Sequence, residues 1–317
     1  MKAAIRRQYC APNQIKIESI EKPVPKEGEV LIKVIATTVN RTDCANLTAK
    51  PFLMRFVLGF FRPRKIILGT DFAGEVIAKG KNVKSFEIGD NVFGFVDTGA
   101  ESQAEYLSIL EENVFPIPET IDYKNAAASL EGAHYAYTFI HKVNILKGQK
   151  LLINGATGAI GSALLQFVRQ YDVNITATCN TKNIALIKSL GADKIYDYTK
   201  EDFTTTNDTY DFIFDAVGKS TFGKCKPLLK ENGVYISSEL GPYSQNVFYS
   251  LLASISNKKV IFPIPYNKDK TIPYISNLLE HRKFKPVIDS EYSLQDIAKA
   301  YEYVIKGEKT GNVLINI

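Results

Sequence analysis

The spacing of apolar residues divides the chain into regions of different texture. Along residues 1–121, apolar and polar positions alternate in short runs, for example at 29–35 and 74–78. Pairs such as Gly89 and Asp90 separate these runs. Alternation with a period of two and frequent turn residues are typical of half-buried strands. This region is therefore predicted to form a β-rich barrel or sandwich-like domain.

Residues 122–282 alternate between helical and strand patterns. A helix is predicted at 122–141, and a second one at 159–171 follows an apolar strand at 150–154. Further strands are predicted at 173–178, 194–197, 210–215, 233–238 and 260–263. Short strands separated by helices indicate βαβ units and a doubly wound parallel sheet. The tail, 283–317, is predicted to hold one helix (294–304) and a last strand (312–317).

Composition and charge exclude several classes of protein. A chain of 317 residues exceeds the usual size of one core, so two domains are expected. The net charge of +5 comes from basic residues spread along the chain, which does not suggest a nucleic-acid partner. No signal peptide or membrane span is expected, because no long apolar run is present. Four cysteines without a CxxC pair favour a reducing cytoplasm.

A glycine-rich turn between the predicted strand 150–154 and the helix after it is the sharpest local signal. Its residues are Gly155, Ala156, Thr157, Gly158, Ala159, Ile160 and Gly161. Glycines at this spacing let the chain turn tightly and let a pyrophosphate approach the backbone at a helix N-terminus. The turn therefore predicts dinucleotide binding.

The end of the second strand of this region bears on the choice of dinucleotide. NAD-specific domains place an Asp or Glu there, to bind the ribose hydroxyls. Here Asp172 precedes the strand, and Asn180, Thr181 and Lys182 follow it. These three side chains could donate hydrogen bonds to a 2′-phosphate, and Tyr198 could flank it. NADPH is therefore favoured over NADH, the alternative being a solvated turn with an incidental lysine.

The chain as a whole resembles the medium-chain dehydrogenase/reductase superfamily, in its zinc-lacking quinone oxidoreductase and enone reductase branch. Besides the glycine turn, the segments that match in order and spacing are 28–31, 39–43, 68–74, 83–94, 189–193, 211–218 and 309–313. The resemblance implies a Rossmann domain (122–282) inserted in a GroES-like β-rich catalytic domain (1–121 and 283–317). It also implies an active site in the cleft between them, and a homodimer.

The resemblance further implies that the catalytic zinc of the alcohol dehydrogenases is absent. Those enzymes place a ligand Cys where this chain has Asn40, a ligand His at Thr70 and a third ligand near Glu131. An amide and a hydroxyl are poor substitutes for thiolate and imidazole. The cysteines of a structural zinc lobe are missing too, and Cys44 is expected to serve packing.

Without the metal, the acceptor must itself stabilise the developing charge. Quinones and α,β-unsaturated carbonyls do so by delocalisation, and hydrogen-bond donors can then replace the metal. Asn40, Thr42, Asp43 and His134 match catalytic positions of the family. Asp43 is expected mainly to orient its loop, and His134 either donates a proton or hydrogen bond or is a satisfied core histidine.

For the nicotinamide, the resemblance implies contacts from two turns and from the last strand. The residues at these positions are Val217, Gly218, Ser237, Ser238 and Asn312. Many relatives have Lys in place of Asn312.

The segment 51–65 is unusually apolar and has basic flanks. Such a segment suits a lid over an apolar quinone, a buried helix or subunit contact, or an interfacial membrane anchor. Membrane contact is the least favoured of the three.

The sequence thus predicts a zinc-independent, NADPH-dependent oxidoreductase that reduces quinones or α,β-unsaturated carbonyls. One alternative is a carbonyl reductase similar to alcohol dehydrogenase. The other is a non-catalytic NADPH-binding protein with a structural or regulatory role.

Overall fold

The computed structural model describes residues 1–237, 246, 257–263 and 268–317. The chain divides into two compact units. The first unit comprises Met1–Glu131 and Pro286–Ile317, and the second comprises Gly132–Lys285. The sequence predicted domain boundaries after residues 121 and 282. In the structure the units change after residues 131 and 285, so the predicted boundaries lie ten and three residues earlier.

The first unit is dominated by a seven-stranded sheet. Its strands are β3 (Glu29–Val39), β4 (Asp71–Lys79), β5 (Asn91–Phe95), β6 (Tyr106–Leu110), β7 (Phe115–Pro116), β14 (Ile288–Ser293) and β15 (Asn312–Asn316). Strand β3 is central because it pairs with β4 along one edge and with both β6 and β15 along the other. β1 (Lys2–Ile5) and β2 (Lys16–Ser19) form a separate antiparallel pair. The tail of the chain therefore completes the sheet that the first region begins.

Among its described residues, the first unit also contains four α-helices. They are α1 (Arg41–Thr48), α2 (Met54–Leu58), α3 (Tyr123–Ala128) and α9 (Ile297–Lys306). In α9 the buried residues are Ile297, Ala300, Tyr301 and Val304, a spacing that puts them on one face of a helix. That face packs with residues of α1 and β15, such as Leu47 and Val313, in one apolar cluster.

The helix predicted at 122–141 is two helices. α3 ends at Ser129, whose backbone N–H and hydroxyl both donate to the carbonyl of Ala126. α4 (Glu131–His141) then begins two residues later. The prediction of one continuous helix was wrong, because a serine that bonds back to the preceding turn competes with the helical hydrogen bonds.

The second unit holds a six-stranded parallel sheet. Its strands are β8 (Lys150–Asn154), β9 (Asn174–Cys179), β10 (Lys194–Asp197), β11 (Tyr210–Asp215), β12 (Leu229–Ser237) and β13 (Lys259–Ile261), in the order β10-β9-β8-β11-β12-β13. This is the doubly wound order of a Rossmann fold, and it confirms the predicted parallel sheet. The order reverses at β8, so the glycine turn after β8 lies at the point where such sheets bind ligands.

Helices of the second unit include α5 (Ala159–Val168), α6 (Ile184–Ser189), α7 (Phe222–Cys225) and α8 (Lys268–Glu280). The sequence analysis did not predict α8, which contains Pro273 in its interior. Proline removes a helical hydrogen bond, so it normally argues against a helix. Among the described residues, no helix has both the length and the apolar character that a membrane crossing requires.

Candidate active site

The loop between β3 and α1 is held by a reciprocal capping box. Asn40 is the N-cap of α1: its side chain accepts a hydrogen bond from the backbone N–H of Asp43 at 3.0 Å. In return, Asp43 Oδ2 accepts from the Asn40 backbone N–H at 3.0 Å. The hydroxyl of Thr70 donates to Asp43 Oδ2 at 3.2 Å, and Asn40 Nδ2 donates to Thr70 Oγ1 at 3.2 Å. Asp43 therefore orients this loop, as expected from the sequence.

Beneath the loop lies Asp71, the first residue of β4. Its Oδ1 accepts from the Thr38 backbone N–H at 2.8 Å, and its Oδ2 accepts from the Thr38 hydroxyl at 2.7 Å. Thr37 donates from its hydroxyl to the Asp71 carbonyl at 2.7 Å. Asn40 Nδ2 also lies 3.4 Å from Asp71 Oδ2. The sequence reasoning passed over Asp71 because a strand-initial aspartate carries no local signal for a buried network.

A second pair lies beside the capping box. The Thr42 hydroxyl donates to Glu131 Oε1 at 2.6 Å, although 89 positions separate the two residues along the chain. Glu131 is buried, and the charge of the half-buried Lys309 acts on it to favour its ionised form. Glu131 and Lys309 were not among the predicted catalytic residues, and only the tertiary structure brings Glu131 to Thr42.

Burial changes the titration of all three carboxyl groups. It raises the pKa of Glu131 to about 7 and that of Asp71 to about 6. Burial also raises the pKa of Asp43 well above its usual range, and the neighbouring charge of Asp71 adds to this effect. Asp43 Oδ1 is buried and has no hydrogen-bond partner among the described residues. The site therefore holds protons up to near neutral pH.

The donor set of this site does not fit zinc. The positions that the resemblance assigns to the zinc ligands are those of Asn40, Thr70 and Glu131, and each uses at least one polar side-chain atom in the hydrogen bonds given above. An amide and a hydroxyl engaged in this way leave no thiolate or imidazole for the metal. Cys44, which is buried in the apolar cluster of α1 and α9, has its pKa raised to about 12 by burial.

His134 lies in the second unit, buried within α4. Its Nδ1 shares a hydrogen bond with the hydroxyl of Thr271 at 2.8 Å. Burial, together with the charge of Lys268, lowers the pKa of His134 to about 4. The imidazole is therefore neutral near pH 7, so it offers a hydrogen bond and not the proton of an imidazolium. Its predicted catalytic role remains a prediction.

The glycine turn brings the end of β8 onto the start of α5. Gly155 has a φ of +79°, and a Cβ there would lie 2.6 Å from the Cβ of Val217. A Cβ on Gly161 would lie 2.2 Å from the carbonyl oxygen of Gly155. Gly158 differs, since its Cβ would meet only the Gly155 carbonyl oxygen, at 3.7 Å. Two glycines thus serve close packing, and the third leaves space over the turn.

The space over Gly158 faces the first turn of α5. Gly158 is the N-cap of that helix and provides no side-chain cap. The first N–H groups of a helix have no acceptor within it, and together with the helix dipole they favour an anion. An open glycine before an uncapped helix start fits a dinucleotide pyrophosphate.

Side chains at the carboxyl ends of three strands support this turn. The hydroxyl of Thr178 donates to Asn154 Oδ1 at 2.8 Å and accepts from the Gly155 N–H at 3.0 Å. Asn154 Nδ2 donates to Asp215 Oδ1 at 3.0 Å, and the same oxygen accepts from the Gly218 N–H at 2.9 Å. The predicted nicotinamide turn, with Val217 and Gly218, is thereby tied to the glycine turn.

Asn180, Thr181 and Lys182, the predicted 2′-phosphate residues after β9, have different surroundings in the structure. The Thr181 hydroxyl donates to Asp197 at the end of β10, so it does not point its proton to a free site. The side-chain oxygen of Asn180 is buried and has no partner among the described residues. Lys182 is exposed, and Tyr198 has 55% of its surface exposed. Asn180 and Lys182 thus remain available for a ligand, whereas Thr181 orders the turn.

Hydrogen bonds from Thr181 and Thr199 lower the pKa of Asp197 to about 2. This carboxylate is therefore ionised at neutral pH, and it accepts hydrogen bonds from the hydroxyls of Thr181 and Thr199. The sequence analysis did not single it out.

The remaining predicted contacts are distributed over both units. Ser237 ends β12 and is buried, and Ser238 lies outside the described residues. Asn312 begins β15 in the first unit, where its amide donates to the carbonyl of Val287 at 3.1 Å. Their contacts with the nicotinamide remain predictions.

Comparison with known proteins identifies the family. Residues 26–147 match the alcohol dehydrogenase GroES-like domain, and residues 190–315 match the model described as zinc-binding dehydrogenase. A chloroplastic quinone-oxidoreductase, QR1, of Triphysaria versicolor is 30% identical, over 94% of this chain and 93% of the relative. The chain belongs to the medium-chain dehydrogenase/reductase superfamily, in its quinone oxidoreductase branch. The predicted family is thereby confirmed.

Two further matches extend over nearly all of this medium-chain reductase. The chloroplastic NADPH-dependent alkenal/one oxidoreductase of Arabidopsis thaliana is 29% identical, over 99% of this chain and 79% of the relative. The solved quinone oxidoreductase from Coxiella burnetii has a TM-score of 0.89 at 24% identity, and the match covers 100% of this chain and 99% of that one. The structural match and the GroES-like domain confirm the predicted fold.

The glycine turn yields a prediction that separates packing from ligand binding. Gly158→Ala should change the free energy of unfolding by no more than about 1 kcal/mol, because its methyl group meets open space. It should nevertheless weaken NADPH binding at least about tenfold, because the methyl group occupies the approach of the pyrophosphate. Gly161→Ala should instead destabilise the reductase by about 1–3 kcal/mol through its clash with Gly155.

Urea unfolding and calorimetric titration with NADPH measure the two effects. Gly223→Ala is the matched control, since a Cβ there meets only the Thr221 hydroxyl oxygen, at 3.9 Å. Unchanged NADPH affinity in Gly158→Ala would remove the pyrophosphate from this turn.

The raised pKa of Glu131 yields a prediction about stability and pH. Burial gives the Glu131 carboxyl a higher pKa in the folded state than in the unfolded state. Its contribution to the free energy of unfolding is therefore complete below about pH 4.5 and is lost as the pH rises through about 7. Glu131→Gln cannot ionise, so its stability should fall less between pH 5 and pH 8 than that of the wild type. Urea midpoints at both pH values test this, with the exposed Glu87→Gln as control. An equal fall in the wild type and in Glu131→Gln contradicts it.

Proposed function

We propose that this chain is a zinc-independent, NADPH-dependent oxidoreductase that reduces quinones or α,β-unsaturated carbonyls. The observation that carries the proposal is that Asn40 and Thr70, which stand at two of the three zinc-ligand positions of the alcohol dehydrogenases, are joined to each other and to Asp43 by hydrogen bonds. The names of the two relatives, a quinone oxidoreductase and an NADPH-dependent alkenal/one oxidoreductase, agree with this class of acceptor.

The choice of acceptor follows from the amide and hydroxyl side chains, Asn40 and Thr70, that stand at two of the zinc-ligand positions. Zinc contributes several kcal/mol by polarising a carbonyl oxygen, and plain ketones and aldehydes depend on it. A quinone or an enone spreads the developing charge onto a distant oxygen, where hydrogen-bond donors suffice. The conjugated acceptors therefore suit a site whose polar groups are amides, hydroxyls and carboxyl groups with raised pKa values.

In this proposal NADPH supplies the hydride, and the protein supplies or relays one proton. The Thr42 hydroxyl is held by Glu131 at 2.6 Å, and the pKa of Glu131 near 7 keeps a proton on its carboxyl in a fraction of molecules at neutral pH. A protonated Glu131 donates to Thr42 Oγ1, which frees the hydroxyl proton for the reduced acceptor. Asn40 and Asp43 act as positioning residues, because their polar atoms hold the loop.

For the cofactor, the second unit offers one site for the pyrophosphate and another for the 2′-phosphate. The open Gly158 and the first N–H groups of α5 would hold the pyrophosphate. Lys182 and Asn180 would receive the 2′-phosphate, with Tyr198 beside it. For the location we keep the prediction of a reducing cytoplasm, with which the free thiols of the four cysteines agree.

The proposed activity is tested by following NADPH oxidation with benzoquinones, enones and saturated aldehydes, before and after chelation of metals. We expect turnover of quinones or enones that chelation does not change. Turnover limited to saturated aldehydes and restored by zinc would instead indicate a carbonyl reductase. Tight NADPH binding without turnover of any acceptor would indicate a binding protein.

The cofactor preference is tested at Lys182. Lys182→Ala should raise the KM for NADPH by about ten- to a hundredfold, the contribution of one charge-assisted hydrogen bond, and leave the KM for NADH unchanged. Steady-state kinetics with both nucleotides measure this, with the exposed Lys188→Ala on α6 as the matched control. An equal loss for both nucleotides would remove Lys182 from the phosphate site.

A further inference from the structure

The segment around α2 exposes an unusual concentration of apolar side chains. Six of them, which we call the aromatic patch, are exposed: Phe52 (58%), Leu53 (73%), Phe56 (63%), Val57 (54%), Phe60 (45%) and Phe61 (89%). Of the helix residues Met54–Leu58, only Leu58 is buried. The exposure contradicts one of the three alternatives given for this segment, a helix buried in its own chain. An apolar patch of this kind marks an interaction surface.

The aromatic patch is held together by contacts among its own rings. Phe56 and Phe60 have ring centroids 5.5 Å apart, and Phe52 lies 6.0 Å from Phe60. The segment is attached to the first unit by buried Leu58 and by the Tyr9 hydroxyl, which donates to the Gly59 carbonyl at 2.6 Å. The patch is therefore an ordered surface that faces solvent.

Every charged residue in this part of the chain is basic. Residues 50–65 contain Lys50, Arg55, Arg62, Arg64 and Lys65 and no Asp or Glu. Apolar side chains beside basic ones are the composition of segments that lie in the headgroup region of a membrane. Basic residues there gain free energy from anionic lipids.

A cavity of about 670 Å³ adjoins the aromatic patch. Arg41, Lys50 and Arg55 contribute to its lining, and none of the described residues that line it is acidic. The guanidinium of Arg55 also lies over the rings of Tyr9, at 4.8 Å, and Phe52, at 5.5 Å. Arg55 thus belongs to both features, and its position joins a cationic cavity to an apolar surface.

We propose that this face binds the surface of an anionic phospholipid bilayer. The aromatic patch enters the interfacial region, and a lipid phosphate occupies the cavity beside Arg41, Lys50 and Arg55. The aromatic patch needs the boundary between headgroups and acyl chains, and the cavity needs an anion. The headgroup region of an anionic bilayer presents both. This inference is independent of the proposed reaction, because it concerns where the chain resides and not what it reduces.

Charge argues against a second copy of the chain as the occupant. A two-fold contact places the same surface of both copies together. The basic residues of one copy would then lie near those of the other, and among the described residues the acidic partner Glu101 is already paired with Lys65 at 3.8 Å. An anionic bilayer is the complementary surface.

Sedimentation with vesicles tests the proposal. The full chain is mixed with vesicles of phosphatidylcholine alone or with about one-third phosphatidylserine, at low and at high salt. We expect binding to the phosphatidylserine vesicles, weakened by salt. Phe52→Ser/Phe56→Ser should lower the partition coefficient at least about tenfold. Lys50→Gln/Arg55→Gln should lower it about fivefold for each charge removed.

Matched controls use exposed residues elsewhere in the first unit. Val24→Ser/Ile88→Ser removes apolar side chains that are 79% and 65% exposed, and Lys81→Gln/Lys84→Gln removes two exposed charges. Both controls should bind vesicles as the wild type does. Circular dichroism and urea midpoints check that every variant is folded.

Three outcomes overturn the proposal. The first is equal binding to both kinds of vesicle, or to neither. The second is an unchanged partition coefficient in the aromatic-patch variant. The third is a wild-type dimer in light scattering that Phe52→Ser/Phe56→Ser dissociates, with no vesicle binding, which would assign the aromatic patch to a second copy.

Discussion

The buried carboxyl group of Asp71 is the constraint on which the polar site of the first unit depends. Removing a carboxylate from water is costly unless hydrogen bonds compensate it. The Asp71 carboxyl group obtains these bonds from the backbone N–H and hydroxyl of Thr38 and, at 3.3 Å, from the hydroxyl of Thr37. Because both threonines lie at the end of β3, their geometry fixes where the chain leaves the strand. Asn40 then begins α1 at a defined place, and its capping box positions Thr42.

The second unit uses the same device at the carboxyl ends of its parallel strands. The buried Asp215 accepts hydrogen bonds from Asn154, from the Gly218 N–H and, at 2.7 Å, from the hydroxyl of Tyr235. Each partner belongs to a different strand or turn, so one carboxyl group sets the spacing of β8, β11 and β12. The glycine turn owes its shape to this network as well as to its glycines. A fully satisfied polar network specifies one arrangement, because any other leaves a buried group unpaired.

The positions that the resemblance to the alcohol dehydrogenases assigns to zinc ligands carry hydrogen-bonding side chains in this chain. A zinc ion would bring a fixed double charge, whereas Asn40 and Thr70 bring hydrogen bonds, and the carboxyl groups around them hold protons. The raised pKa values of Asp71 and Glu131, at about 6 and 7, follow mainly from burial. Such a site is suited to supply protons and hydrogen bonds, which conjugated acceptors can use.

The sequence by itself determined the period-two pattern of the first region, the parallel strands β8, β10 and β11 and the glycine turn, since these depend on local spacing and turn chemistry. It did not reveal helix α8, because Pro273 opposes a helix locally and only packing overrides that preference. It also could not pair Thr42 with Glu131 or Thr181 with Asp197. Only the tertiary structure decided these contacts and the exposure of the aromatic patch, because each depends on residues that the fold, and not the local sequence, brings together.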